Sequence, residues 1–170
     1  MLKPAMVLLG GIAPQMDTAA EAISAIRKAH GDEVINRLLV NGITEDELKV
    51  VVRNNGDLLK THRVVKDGNG KVFWLEKGDN NWGWLHIKKK HITGEVPKGT
   101  LFPGSMTEAD VKDLIFETLA NPSTSEISMI NGNILYYHDI IPPNGKYIRV
   151  ATYPNGKILS AYMVNKLPSV

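Results

Sequence analysis

The sequence predicts an α+β fold in which N-terminal helices are followed by a four-stranded antiparallel meander sheet covered by helices. Three observations carry this. Up to residue 58 the apolar residues recur at helical spacing, between Ser/Thr-type start signals and Gly or Asn stops. From Thr61 onward the chain breaks into short runs rich in Val, Ile and Tyr, separated by turns containing Asn-Gly or Pro and Gly. One further helical stripe, after Thr107, interrupts those runs and supplies a cover for the sheet.

The first helix is expected from a capping box, Thr18-x-x-Glu21, with Ala22, Ile23 and Ile26 on one face and Gly31 as its stop. Val34, Ile35, Leu38 and Leu39 form a second segment ending at Asn41-Gly42. Thr44-x-x-Glu47 opens a third, with Leu48, Val51 and Val52 apolar, ending at Asn54-Asn55-Gly56. Val64-Val65, the turn Asp67-Gly68-Asn69-Gly70 and Val72–Leu75 read as a β-hairpin. A helix entered near Asn80-Asn81 and stopped by Gly94 follows. Thr107-x-x-Asp110 caps the next, whose stripe is Val111, Leu114, Ile115 and Leu119, and Asn121-Pro122 ends it. Four strands complete the chain: 127–130, 134–140, 147–152 and 158–164. The turns between them hold Asn131-Gly132, Pro142-Pro143-Asn144-Gly145 and Tyr153-Pro154-Asn155-Gly156. Two regions are expected, a helical segment 1–58 and an α+β domain 59–170.

Composition narrows the chemistry. The 170 residues are 43% hydrophobic, enough to bury a core without disulfide or metal support. With no cysteine, thiol catalysis and thiolate metal sites are excluded. No apolar run approaches the roughly 20 residues that a membrane-spanning helix needs. The net charge of +2 is small, but it is unevenly spread. Residues 60–100 hold nine Lys/Arg against four Asp/Glu, an excess of +5, whereas residues 1–59 and 101–170 are slightly acidic. A cationic strip of this kind attracts phosphates, although a solvated lysine-rich helix face has the same composition.

Within that strip lies Gly83-Trp84-Leu85-His86-Ile87-Lys88-Lys89-Lys90-His91. Helical zinc ligands need i, i+4 spacing with a carboxylate beside them, which is absent here, so no metal is expected. Five residues apart on a regular helix, His86 and His91 differ by about 140° in direction. Straddling a substrate is compatible with this geometry if His91 sits at the frayed end of the helix. With ordinary pKa values of about 6.5, one imidazole can accept a proton while the other donates one. Lysines nearby stabilise negative charge developing on phosphorus oxygens. On the last strand, alternation puts Ser160 and Tyr162 on one face and Leu159, Ala161 and Met163 on the other. The apolar set is expected to meet a helix, leaving Ser160 and Tyr162 to a polar cleft. Tyr147 and Arg149 share a face of the preceding strand, and register decides whether it is the same one. His30 is expected at a helix C-terminus, His62 near a strand start, and His138 on a core or cross-strand face.

The order of a hairpin with Leu75 and Gly78 at its end, Gly83-x-x-His86-Ile87-x-x-Lys90-His91, a capped helix, strands and Ile158-Leu159-Ser160-Ala161-Tyr162 resembles the barnase–EndoU–colicin–RelE-like nuclease superfamily. It is most similar there to the ribonuclease domains at the C-termini of polymorphic bacterial toxins, including those of contact-dependent inhibition, over residues 60–165. Lys90 stands where that family often has arginine, Ser160 where it has threonine, and Met163 replaces a usual proline. The resemblance implies cleavage of RNA, including transfer RNA, without metal or other cofactor. It also implies secretion or delivery into a target-cell cytoplasm, residues 1–58 as an entry or delivery segment, and a cognate immunity protein. The resulting expectation is attack by the ribose 2′-hydroxyl to leave a 2′,3′-cyclic phosphate. His86 and His91 would share acid and base duties, Ser160 and Tyr162 would orient the phosphate, and Lys88, Lys89, Lys90 and Arg149 would bind substrate. The competing expectation is a non-catalytic nucleic-acid-binding module using the same lysines with Trp82 or Trp84 as stacking platforms. A third is a structural or delivery protein whose function lies in residues 1–58.

Overall fold

The computed structural model describes residues 12–141 and 146–168 and has the α+β architecture expected. The turn at Pro142–Gly145 lies outside the described residues. The chain divides into two compact units, residues 1–59 and 60–170.

The first unit contains three helices: α1 (Ile12–His30), α2 (Glu33–Asn36) and α3 (Glu45–Arg53). Helix α1 starts earlier than its sequence signal suggested. Thr18 lies inside it and is no N-cap, because the helical conformation continues N-terminally past the capping-box pattern. It ends at His30, before Gly31 in the left-handed region. Thr44 does cap α3: its side chain accepts from the Asp46 N–H, while the Glu47 carboxylate takes the Thr44 N–H at 2.7 Å. Ile23, Ile35, Leu38, Leu48 and Val51 are buried.

The second unit opens with the hairpin β1 (Thr61–Lys66) and β2 (Val72–Glu76), antiparallel, with Val65 opposite Phe73. Helix α4 (Gly83–Ile87) follows, continued by a π-helical turn, Lys88–Ile92. Then come α5 (Glu108–Ala120) and the strands β3 (Thr124–Ile127), β4 (Ile134–Ile141), β5 (Lys146–Thr152) and β6 (Ile158–Val164), in the order β3-β4-β5-β6. Helix α5 begins as expected, with a reciprocal Thr107–Asp110 capping box. Strand β3 lies upstream of its expected position. Register pairs Ile127 with Ile134, so Ser128–Ile130 belong to the connecting turn rather than to a strand.

One sheet face, carrying Tyr136, Ile148, Val150 and Ala161, packs on Val111, Ile115, Phe116 and Leu119 of α5, and Phe73, Leu75, Trp84 and Ile87 complete that core. Each large apolar side chain buried there contributes roughly 1.5–3 kcal/mol. His138 lies on this side as expected, with Nε2 3.7 Å from the Glu117 carboxylate. The other face carries Leu135, Tyr137, Arg149, Ala151, Ser160 and Tyr162, because these residues alternate with the core set.

Two glycines bring α4 into place. Gly78 and Gly83 both have positive φ, and their backbones cross so closely that a Cβ on Gly78 would lie 2.1 Å from the Trp82 carbonyl oxygen. Gly78→Ala is therefore expected to cost more than about 2 kcal/mol, since a left-handed alanine and a backbone clash combine. Thermal unfolding would read this as a loss of roughly 10 °C.

Candidate active site

The histidine helix departs from the expected geometry in two ways. It begins at Gly83 rather than near Asn80-Asn81, which sit in a turn held by the Asp79 carboxylate accepting from the Asn81 N–H at 2.8 Å. Its last turn is also neither regular nor frayed. A π-helix closes i→i+5 hydrogen bonds, here from the Thr93 N–H to the Lys88 carbonyl at 2.8 Å. A turn widened in this way brings residues five apart onto one side. The His86 and His91 rings accordingly lie edge-to-face with centroids 5.7 Å apart, instead of about 140° apart in direction.

Each ring is fixed by a backbone carbonyl, which can only accept. His86 Nδ1 therefore donates to Asn80 O at 3.0 Å, and His91 Nδ1 donates to Thr100 O at 2.7 Å. In both rings Nε2 is left as the working nitrogen. That of His86 is 3.0 Å from Ser160 Oγ. The segment supplying Thr100 is tied down by the Thr100 hydroxyl donating to Met163 O at 3.2 Å, and it presses on the π-turn so tightly that a Cβ on Gly99 would meet Lys90 O at 2.7 Å. His91 is buried and stacks on Tyr162, with ring centroids 5.4 Å apart. Burial lowers its pKa; the Thr100 hydrogen bond opposes this, and the nearby charges of His86 and Lys90 reinforce it.

Strand register resolves the position of Arg149. It pairs with Tyr162 on one side and Tyr137 on the other, so all three share the cleft face. Arg149 Nε donates to the Tyr137 hydroxyl at 2.9 Å and Nη1 to the Tyr162 hydroxyl at 3.1 Å. The Tyr137 hydroxyl in turn donates to the Glu126 carboxylate. Burial and that carboxylate push Tyr137 up to about 12, so it stays a neutral donor. Burial opposes the Arg149 charge, but contacts with the Tyr162 and Tyr137 hydroxyls raise its pKa on balance.

These groups border a cleft of about 680 Å³, into which His86, His91, Lys90, Arg149, Ser160 and Tyr162 all face. Lys88 and Lys89, expected as substrate ligands, do not line it. Lys88 pairs with Glu108 at 3.4 Å, and Lys89 donates to Asn80 Oδ1 at 3.1 Å. Lys98 lines the cleft in their place, held at a positive φ of 72°. Leu159 also changes sides. Ala151 pairs with Ser160 but Thr152 with Ile158, so Leu159 is the extra residue of a β-bulge and joins the cleft wall while Ile158 enters the core. Ala161 and Met163 lie with the core as expected. Of the tryptophans, Trp74 and Trp84 are buried, and Trp82 is partly exposed beneath the Lys157 ammonium, 3.8 Å from its ring centre.

Sequence reasoning missed Glu126, Tyr137, Lys98 and the two carbonyls that set the histidine tautomers. Tyr137 would follow from Arg149 once the β4–β5 register is known. No side-chain signal marks a backbone carbonyl. Among the described residues there is no group of three or more His, Asp or Glu able to hold a metal ion, and no helix is long and apolar enough to cross a membrane. Neither a protein-family profile nor a curated protein sequence matches this chain.

Proposed function

We propose that the 60–170 unit is an endoribonuclease that cleaves RNA by attack of the ribose 2′-hydroxyl, without a metal ion. The observation that carries this reading is the pair of imidazoles 5.7 Å apart in a cleft that also holds a tyrosine-braced arginine. His91, whose lowered pKa keeps it neutral near pH 7, takes the 2′-hydroxyl proton on Nε2. The 2′-oxygen then bonds to phosphorus and the P–O5′ bond breaks. Protonated His86, donating from Nδ1 to Asn80 O, delivers the Nε2 proton to the departing 5′-oxygen. Arg149, Lys90 and Lys98 offset the charge on the non-bridging oxygens, and the Tyr162 and Ser160 hydroxyls orient them. The products are a 2′,3′-cyclic phosphate and a 5′-hydroxyl.

The direct test incubates the purified chain with transfer RNA and other RNAs in EDTA. Cleavage leaving cyclic phosphate ends supports the reading. Intact RNA throughout, or undiminished cutting by His86→Ala and His91→Ala, overturns it. Salt-sensitive binding without cleavage would favour a nucleic-acid-binding module, for which the part-exposed Trp82 under Lys157 is the available stacking surface. The reading extends to a toxin that acts in a target-cell cytoplasm, with residues 1–58 serving entry or delivery and an acidic immunity protein covering the cationic cleft.

The pH dependence follows from the burial of His91. As the base, His91 must be neutral, so kcat/KM is expected to rise with pH through a midpoint below 6.5. The same shift links to stability. An unfolded histidine binds its proton near pH 6.5 while the folded one resists it, so stability is full above that pH and falls as pH drops through the lowered value. A pH–rate profile beside a pH series of thermal unfolding checks both limbs.

A further inference from the structure

The cleft continues beyond the imidazoles, across the sheet to the β3–β4 connection. Leu135, Ala151 and Ser160 lie in one row across β4, β5 and β6. The span from the imidazole edge at β6 to β4 is therefore two strand spacings, about 10 Å. At its far end the lining is of another kind. Leu135 and Ala151 give an apolar surface that Leu159 continues back along β6, and Ile130 and Asn133 border its far end.

Asn133 is the unusual member. It is only 8% exposed, and it lines the cleft. Its backbone needs are met elsewhere, the N–H donating to Asn131 Oδ1 at 3.0 Å and the carbonyl accepting from the Ser128 N–H at 2.8 Å. An amide at the wall of an open cleft is a polar group to which an entering ligand can hydrogen-bond. Beside it, Ile130 is 94% exposed at the mouth of the same cleft, an apolar side chain with no internal role.

We infer that Asn133, Leu135 and Ile130 form a subsite for one unpaired base next to the scissile phosphate, which makes the substrate a single-stranded or looped RNA and gives it a base preference. This deepens the ribonuclease reading and rests on it. An amide offers two donors and one acceptor, a set that matches the hydrogen-bonding edge of a base. The apolar surface receives the ring face, and Ile130 closes on its other side. Within a duplex those Watson–Crick edges are already paired, and the deep, narrow major groove of A-form RNA keeps side chains out. The same constellation therefore selects against helical RNA.

The test uses the full chain and short single-stranded RNAs that differ at one base and carry a 2′-deoxy sugar at the scissile position, so that binding is read without cutting. A blunt RNA duplex is the comparison. Fluorescence anisotropy is expected to give a preference of about 10-fold or more for one base, and weaker binding of the duplex. Asn133→Ala should compress the preference to within about 3-fold while the least favoured RNA binds as before. Asn133→Asp, nearly isosteric, replaces donors by acceptors and should reorder the bases; it carries the test if the alanine variant fails to fold in a thermal scan. An unchanged ranking in either folded variant, or tighter binding of the duplex, overturns the inference. Selective binding that depends on Asn133, with all-ribose versions left uncut, would defeat the ribonuclease reading and leave the base subsite standing. Cutting with base-indifferent binding would do the reverse.

Discussion

Replacing His86 with alanine is expected to lower kcat for RNA cleavage by about 10²–10⁴-fold with little change in KM, the span typical of losing a positioned general acid. His86 is partly exposed, with two hydrogen bonds at the cleft edge beside its edge-to-face contact with His91, so its removal should leave the fold intact. His91→Ala is expected to be as damaging to kcat, but it also removes a buried ring stacked on Tyr162. His91→Gln, which keeps much of the bulk, separates lost chemistry from lost packing. The double variant should be scarcely worse than either single one, because two groups that hand protons through one transition state act as a unit. Single-turnover rates together with circular dichroism read all three. Full activity in a folded His86→Ala chain would end the acid–base assignment.

The second large effect is expected at Arg149. Its truncation to alanine should cost about 10²–10³-fold in kcat, the scale of removing one preorganised charge from a transition-state site. Lysine should not restore it, since a single ammonium cannot hold both Tyr137 and Tyr162 as the guanidinium does through Nε and Nη1. Glu126→Gln offers a graded comparison. Glu126 touches only the Tyr137 hydroxyl in this chain of contacts, so a milder loss there would mark it as a positioning residue. Equal losses for Arg149→Ala and Arg149→Lys, beside unchanged melting temperatures, would bear the argument out. Activity in Arg149→Ala would remove the arginine from the mechanism.

The parts of this molecule legible in sequence were those governed by local rules. The Thr44 and Thr107 capping boxes each specified a helix start, because the two reciprocal hydrogen bonds involve residues only three apart. The hairpin at Asp67–Gly70 and the strand 158–164 followed from turn chemistry and alternation. Thr18 shows the limit of the same signal, since a capping pattern is overruled where helix continues on both sides of it. What stayed hidden depends on the whole fold. The bulge that carries Leu159 to the cleft is set by how β6 meets β5, and the Glu126–Tyr137–Arg149 contacts need three strands in register. The pairing of His86 with His91 needed a π-turn, and no residue type in Lys88–Ile92 signals one.

That wide turn carries an evolutionary consequence. Between the two imidazoles it constrains how many residues there are, but which ones they are only at the buried Ile87 and the cleft-lining Lys90. Lys88 and Lys89 face away from the cleft and can drift to almost any helix-compatible side chain. Losing a single codon from this stretch would tighten the coil and swing His91 out of line. Lineages descended from this chain should therefore tolerate abundant replacement of Lys88 and Lys89 while rejecting every change of length.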